Sequence, residues 1–447
     1  MEFKAITLAG ARRLLLEAVT SLMSHSLLDT LRGLRGNARG AVLTEPLWGI
    51  PFNLYAPYAS LYMLALGLKA SQIGLVTSAA LAGQIVFALF SGVITDKLGR
   101  KRATFVFDIL AWSIPCLLWA SAQSLIWFLL AGLVNSLRRI PDISWNCMLV
   151  EDADPDDLVH LYTWVYLAGH LSVFFAPLAG LLIDRYSLVP TVRGLYLLAF
   201  AMMTAKFVIF NAMVTETRQG RVRMEETKDR PILDLIGEYR HVAGKVLAAP
   251  HTLYTIGLMV ILSIVTTVHS TFWAILVTER IHIPAGQIAF YPFARSLMML
   301  FFLFFVAPRL RGLHFGRPMT IAFAGFLISN ILLVAIPSKG YLLLLVSTLL
   351  ECCSYAVLGT QIDRLAVINV DAEERARIVS IAHTVVIACT TPFGWIAGLL
   401  SERNPIQPFI LNSIVLVLGI LLVRLLGDTG ADSDVVSTEA PASKARS

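Results

Sequence analysis

The sequence predicts an all-α membrane protein of twelve transmembrane helices in two six-helix bundles, and three observations carry that prediction. Apolar stretches of about twenty residues, enough to cross ~30 Å of hydrocarbon, recur along the chain. Of its 447 residues, 57 % are apolar and 15 % charged, and the mean hydropathy is +0.72. A soluble domain is about 45–50 % apolar and about 25 % charged. A single long hydrophilic run then divides the apolar stretches six and six. This composition excludes a soluble globular enzyme, a disordered chain and a coiled coil. It also argues against an outer-membrane barrel, whose short alternating segments do not raise the mean hydropathy so far.

Residues 1–44 are expected to form a cytoplasmic N-terminal segment. They carry Glu2, Arg12, Arg13 and Glu17 and lack the uninterrupted apolar core of a cleavable signal. Within them, 11–32 reads as an amphipathic helix on the inner membrane surface, with a disordered tail as the plainer alternative. Helices 1 to 6 are expected at 45–67, 72–95, 103–120, 124–150, 157–183 and 190–214, forming the N-terminal bundle 45–214. Helix 1 is the least apolar, with Pro46, Pro51, Pro57 and Asn53. Such a helix is tolerated only where protein or a water cavity satisfies the freed backbone groups. The cytoplasmic linker 215–250 follows, ending in an amphipathic run, Ile232–Val246, read as a helix along the inner face. Helices 7 to 12 are expected at 251–278, 288–307, 319–336, 341–363, 376–400 and 406–425, within the C-terminal bundle 251–426. Residues 427–447 read as a disordered cytoplasmic tail.

Orientation follows from Lys and Arg. With the N-terminus inside, the cytoplasmic segments hold 26 of the 36 and the external loops hold 6. This asymmetry places both termini in the cytoplasm of a multi-pass protein of the cell (inner) membrane. The net charge of +6 would suggest nucleic acid in a soluble chain. Here the cations line the inner leaflet, so lipid is the expected partner and nucleic acid is not. The five cysteines fall inside expected helices without metal-type spacing, and no metal or cofactor is expected.

The halves repeat weakly. Gly99-Arg100 after helix 2 matches Gly316-Arg317 after helix 8, and Pro177 of helix 5 matches Pro392 of helix 11. Two six-helix repeats of the same orientation suit a carrier that rocks around a midplane site. The sharpest motif joins helices 2 and 3: Gly92, Asp96, Lys97, Gly99, Arg100, Lys101 and Arg102. Gly92 allows close helix packing and Gly99 a tight turn, while the cations anchor the loop to the inner leaflet. Asp96, the one acid among them, suits a pair with a neighbouring Arg or a helix N-terminus, formed in one conformation and broken in another.

This G-x-x-x-D-K-x-G-R-K-R loop after the second of twelve helices resembles the signature loop of the major facilitator superfamily. Helix number, central linker and duplicated half agree over about residues 45–425. The resemblance implies a V-shaped pair of bundles with helices 1, 4, 7 and 10 lining the cavity. Helices 2, 5, 8 and 11 would form the interface, and 3, 6, 9 and 12 would lie outside. It also implies that Asp96 and Arg100 latch the inner gate. The copy at 308–318 lacks the Asp, and Ala131 stands near the place of the family's helix 4 Arg. Helix 5 carries a degraded Gly-Pro motif, Gly169 to Gly180, matched by a similar stretch in helix 11.

Charge inside the bilayer is costly unless paired or hydrated. At 100° per residue, Asn135, Arg138, Arg139, Asp142 and Asn146 of helix 4 share one arc, an expected inward stripe. One arginine can pair with Asp142, which leaves the second for a substrate or for Glu351 of helix 10. Asn53, Gln84, Arg295 and Tyr355 join Asn135, Arg138, Arg139 and Asp142 as candidate substrate contacts. Glu351, His170, His269 and His383 are candidate proton carriers, the histidines reading more readily as satisfied interior groups. Lys206 and Asp108, on helices turned outward, read as structural pairs or snorkelling side chains.

No phosphate-binding loop, HExxH or Cys/His cluster is present, so no enzymatic chemistry is expected. The leading expectation is a monomeric secondary transporter moving a small polar or anionic organic solute by alternating access, coupled to protons. A drug/proton antiporter is the alternative, and a non-transporting membrane sensor with the same fold is another.

Overall fold

The structure, a computed structural model, describes residues 33–154, 157–231, 250–306, 316–368 and 375–426. The expected helices at 11–32 and Ile232–Val246, most of the 308–318 loop and the 427–447 tail lie outside these residues. All regular secondary structure among the described residues is helical. Among the described residues, ten helices are long and apolar enough to cross a membrane. They are Ala70–Leu98 (helix 2), Arg100–Ala120 (helix 3), Leu158–Tyr186 (helix 5), Leu188–Met213 (helix 6), Thr252–Glu279 (helix 7) and Ala285–Val306 (helix 8). Gly316–Ala335, Tyr341–Ala366, Ile381–Arg403 and Gln407–Leu425 are helices 9 to 12. Two more polar runs complete the twelve. Helix 1 is built from Gly36–Tyr55, Ala56–Tyr58 and Ala59–Ala65, and helix 4 from Leu125–Asn135, Ser136–Arg138 and Arg139–Val150.

Helix 1 begins at Gly36, which corrects the expected boundary at 45. The Asn37 side chain donates to the Thr215 carbonyl at 3.0 Å and accepts from the Thr215 amide at 2.9 Å, tying this end to the end of helix 6. Ala41 and Val42 join an apolar cluster with Met148, Leu149, Leu161 and Phe210. Residues 36–44 therefore belong to the packed bundle. A second difference is a linker helix, Arg218–Thr227, whose Thr217 hydroxyl accepts from the Gly220 amide at 2.9 Å as an N-cap.

Several spans are interrupted. Helices 1, 4 and 5 contain 3-10 turns at Ala56–Tyr58, Ser136–Arg138 and Val173–Phe175. Helices 3 and 8 contain π segments at Ile109–Ser113 and Phe302–Val306. A proline has no N–H for the carbonyl four residues before it. Pro57, Pro115, Pro141 and Pro177 thus free the carbonyls of Asn53, Ala111, Leu137 and Val173, at or beside the breaks in helices 1, 3, 4 and 5.

By contacts the chain falls into two compact units. The first takes residues 1–68, 83–236 and 284–309, and the second 69–82, 237–283 and 310–447. Helix 8 thus groups with the N-terminal helices and the first turns of helix 2 with the C-terminal ones. The reason is glycine. In the first unit, a Cβ on Gly180 of helix 5 would strike the carbonyl of Gly286. In the second, a Cβ on Gly74 of helix 2 would strike the carbonyl of Gly394 on helix 11, and one on Gly398 would stand 2.7 Å from the Ala70 oxygen. Ser78 fastens this second seam: it donates to the Thr391 carbonyl and accepts from the Trp395 amide at 2.8 Å, occupying one helical turn of helix 11.

Candidate functional site

The 3-10 turn of helix 4 sets the geometry of the arginines. Arg138 and Arg139 are half-buried on either side of the turn's end, and both donate to the side-chain oxygen of Gln84 on helix 2, at 3.2 and 3.0 Å. Gln84 is itself buried, at 3 % exposure. Arg139 also reaches Asp142 at 3.4 Å. Arg138 makes no ion pair among the described residues, and its Nε is buried without a hydrogen-bond partner. Two guanidinium charges therefore meet one carboxylate and one neutral amide oxygen.

The other polar residues of the expected arc have partners of their own. Asn135 lies before the break and donates to the Ala111 carbonyl of helix 3 at 2.8 Å, the oxygen that Pro115 leaves unpaired. Asn53 donates to the Gly49 carbonyl of its own helix at 2.8 Å. Asp142 and Asn146 are exposed, and Asn146 accepts from the Tyr162 hydroxyl at 2.8 Å.

In the second unit the structure brings together two residues that the sequence listed separately. His269 Nε2 of helix 7 stands 3.8 Å from Glu351 Oε2 of helix 10. Glu351 is buried at 2 % exposure. The imidazole also lies beside the rings of Trp273 and Phe409, 6.2 and 6.0 Å away. Tyr355 is half-buried one turn further along helix 10. His383 is exposed on helix 11, within electrostatic reach of Asp363.

His170 is tied to Ser296 of helix 8. The Ser296 hydroxyl donates to the His170 carbonyl at 2.9 Å, so its single proton is used there. The 2.9 Å contact with His170 Nδ1 then requires that nitrogen to donate. Arg295, half-buried next to Ser296, faces the same histidine. Lys206 and Asp108 do not pair with each other: Lys206 Nζ bonds Glu45 Oε2 of helix 1 at 3.0 Å.

At one end of the first unit the 2–3 loop is the centre of a charge network. Gly99 has φ +82°, which an L side chain rarely adopts, and an added Cβ would stand 2.6 Å from both Glu216 Oε2 and Met224 Sδ. Gly92, Lys97 and Lys101 are half-buried around it. Asp96 accepts from Arg100 at 2.8 Å through one oxygen and from Arg223 of the linker helix at 2.8 Å through the other. Arg100 continues to Glu151 at 3.2 Å, and Glu151 accepts from the Thr217 hydroxyl. Glu216 accepts the amides of Arg100 and Lys101 at 2.9 and 3.0 Å, capping the start of helix 3. Arg223 lies outside the spanning segments, and its hydrogen bond to Asp96 holds its guanidinium above the usual arginine range. Sequence reading placed Asp96 and Arg100 here and missed Glu151, Glu216 and Arg223. The available signal was an acid closing helix 4 at the head of an acidic loop and another just after helix 6, at the head of the basic linker.

Among the described residues no group of three or more His, Cys, Asp or Glu is arranged to hold a metal ion. Comparison with known proteins places this geometry. The family model of the Major Facilitator Superfamily matches residues 48–388. The chain is 28 % identical over 162 residues to "Uncharacterized MFS-type transporter YqjV" of Bacillus subtilis (strain 168), covering 34 % of this chain and 39 % of that one. The match thus spans well under half of that relative's length. Among solved structures it is similar to the nucleoside transporter NupG, at TM-score 0.65 and 15 % identity over 88 % of this chain and 97 % of that one. A bacterial homologue of the iron transporter ferroportin in an inward-facing state gives TM-score 0.68 and 14 % identity, over 88 % and 98 % of the two chains. A POT family transporter in complex with 5-aminolevulinic acid gives 0.67 and 12 %, over 89 % and 99 %. Twelve helices, the Asp96 loop and a family match over most of its length make this chain a member of the Major Facilitator Superfamily of transporters.

Proposed function

We propose that this chain is a secondary active transporter of the cell inner membrane, both termini cytoplasmic, that moves a small anionic organic solute by alternating access coupled to protons. The observation that carries the reading is the imbalance at the helix 4 break. Arg138 and Arg139 share Gln84, only Arg139 reaches a carboxylate, and Arg138 Nε is buried without a partner. A buried donor left unsatisfied is costly, and an anionic group arriving there supplies the missing acceptor. Glu351 and His269 supply the coupling: a buried carboxyl and an imidazole 3.8 Å apart exchange a proton with small movements of helices 7 and 10.

The test is a thermal-shift screen of the purified chain against organic anions, cations and neutral solutes, since a ligand of the folded state raises its stability. Anions are expected to stabilise the parent chain and to lose that effect in Arg138→Gln. Stabilisation by cations alone, or equal stabilisation of both proteins by anions, overturns the proposal. A stabilising anion is then offered to proteoliposomes with and without an imposed pH gradient, and gradient-driven accumulation is the expected result.

A further inference from the structure

Inside the first unit lies a cavity of about 160 Å³, lined by Glu45, Trp48, Asp108, Trp112, Pro141, Asp142, Trp145 and Lys206. Side chains of helices 1, 3, 4 and 6 thus meet in one place. Lys206 is 6 % exposed, with Nζ bonded to Glu45 and lying 5.7–5.9 Å from the ring centres of Trp48, Trp145 and Phe207. Asp108 is 7 % exposed and makes no hydrogen bond or ion pair among the described residues. Its carboxyl faces three charged groups: Lys206 from helix 6, Glu45 from helix 1 and Asp142 from helix 4, the last held by Arg139. Three carboxyls and one ammonium line a space with room for several waters. One ammonium engaged by Glu45 does not neutralise Asp108 as well, and a buried bare carboxylate without hydrogen bonds is not sustained.

We infer that Asp108 is a second proton-binding site of the carrier, with Lys206 as its responding charge and the Asp142 side of the cavity as its route to water. With Lys206 on Glu45, Asp108 holds a proton. When the O–H bond of Asp108 breaks, the proton passes to cavity water and leaves past Asp142, which is exposed. Lys206 is then drawn from Glu45 towards the new carboxylate, and the local charge falls by one. The movement alters the contacts of helix 6 with helices 1 and 3 and takes the ammonium away from the rings of Trp48 and Trp145. The site rests on the reading of the chain as a proton-coupled carrier and lies in the unit that does not contain Glu351.

The experiment uses the purified full chain without any solute. Infrared difference spectra across a pH titration are expected to show the carbonyl stretch of a protonated carboxylic acid fading as pH rises. That band is absent in Asp108→Asn and persists in Glu351→Gln. Tryptophan emission is expected to change with the same midpoint in the parent chain and to stay flat in Asp108→Asn. If Asp108→Asn does not fold, Asp108→Glu keeps the carboxyl and is expected to shift the midpoint of both signals. An unchanged band and unchanged emission titration in a folded Asp108 variant overturn the proposal. No gradient or solute is involved, so a titrating Asp108 in a chain that shows no pH-driven uptake refutes the coupling reading and leaves the proton site standing.

Discussion

Arg223 of the linker helix donates from Nη2 and Nε to a single oxygen of Asp96, at 2.8 and 3.2 Å, while Arg100 holds the other oxygen at 2.8 Å. The linker is therefore fastened to the loop between helices 2 and 3 by the carboxylate of its signature motif. Arg223 is about one-third exposed, so this pair contributes at most about 1 kcal/mol. Arg223→Gln is expected to leave the chain folded and to raise the open population of the linker helix by up to about fivefold. Trypsin cleavage after Arg218 and Arg221 measures it, and an unchanged cleavage rate would show that the helix is held by other contacts.

Asp96→Asn removes the charge that both arginines share and leaves one acceptor oxygen for the two of them. Folding and membrane insertion are expected to persist, because Arg100 retains Glu151 and the helix 3 start retains Glu216. Turnover is expected to fall, since one state of a two-state equilibrium loses its stabilising contact. Transport at the parent rate would confine Asp96 to setting topology.

The glycines divide into two kinds. Gly74→Leu pushes a side chain into the backbone of helix 11 at Gly394. Overpacking of that kind costs about 1–3 kcal/mol, and a fall in thermal midpoint is the expected reading. Gly169 of the helix 5 motif has no atom within 4 Å of an added Cβ. There Gly169→Ala is expected to be neutral or to stabilise by up to about 1 kcal/mol through helix propensity. A destabilised Gly169→Ala would mean that helix 5 meets another surface during the cycle.

Arg138→Gln is expected to weaken anion binding by about 1.5–3 kcal/mol, roughly 10- to 150-fold. Arg139→Gln is expected to lose less, because Arg139 already spends part of its charge on Asp142. Equal losses at both positions, measured by titration calorimetry, would point to a ligand that bridges the two.

Glu351→Gln mimics the protonated acid. Accumulation driven by a pH gradient should be lost while exchange of labelled for unlabelled solute continues, because a loaded carrier still cycles without releasing its proton. His269→Gln is expected to shift the pH profile of accumulation, since the imidazole 3.8 Å away senses the same carboxyl. Full pH-driven accumulation by Glu351→Gln would move coupling to Asp108.

The helix count and the pairing of Asp96 with Arg100 were legible because both are local signals: apolar windows in one case, an acid among cations in the other. What the chain pairs over distance was not. Arg223 and Asp96 lie 127 positions apart, and Glu351 shows no basic neighbour until helix 7 is laid beside helix 10. Helix 1 starts early because Asn37 finds Thr215, a partner 178 positions away, and no apolar run announces that turn. The partner of Asn135, the Ala111 carbonyl 24 positions away on helix 3, was hidden for a similar reason. Helix 4 was read as continuous, although Pro141 sits four residues beyond Leu137 and foreshadows the break. Lys206 and Asp108 carried the plainest signal, intramembrane charge, and only the third dimension shows Glu45 between them in role.

The 3-10 and π interruptions of helices 1, 3, 4, 5 and 8 all fall in the first unit, whereas helices 7, 9, 10, 11 and 12 of the second run as uninterrupted α-helix. Each interruption replaces regular i→i−4 bonds by weaker or differently directed ones, so the backbone bends there at lower cost. The irregular backbone is therefore concentrated in the first unit. Backbone amides around Ser136–Arg138 and Ile109–Ser113 should accordingly exchange with solvent deuterium sooner than those at matching depth in helices 7 and 10.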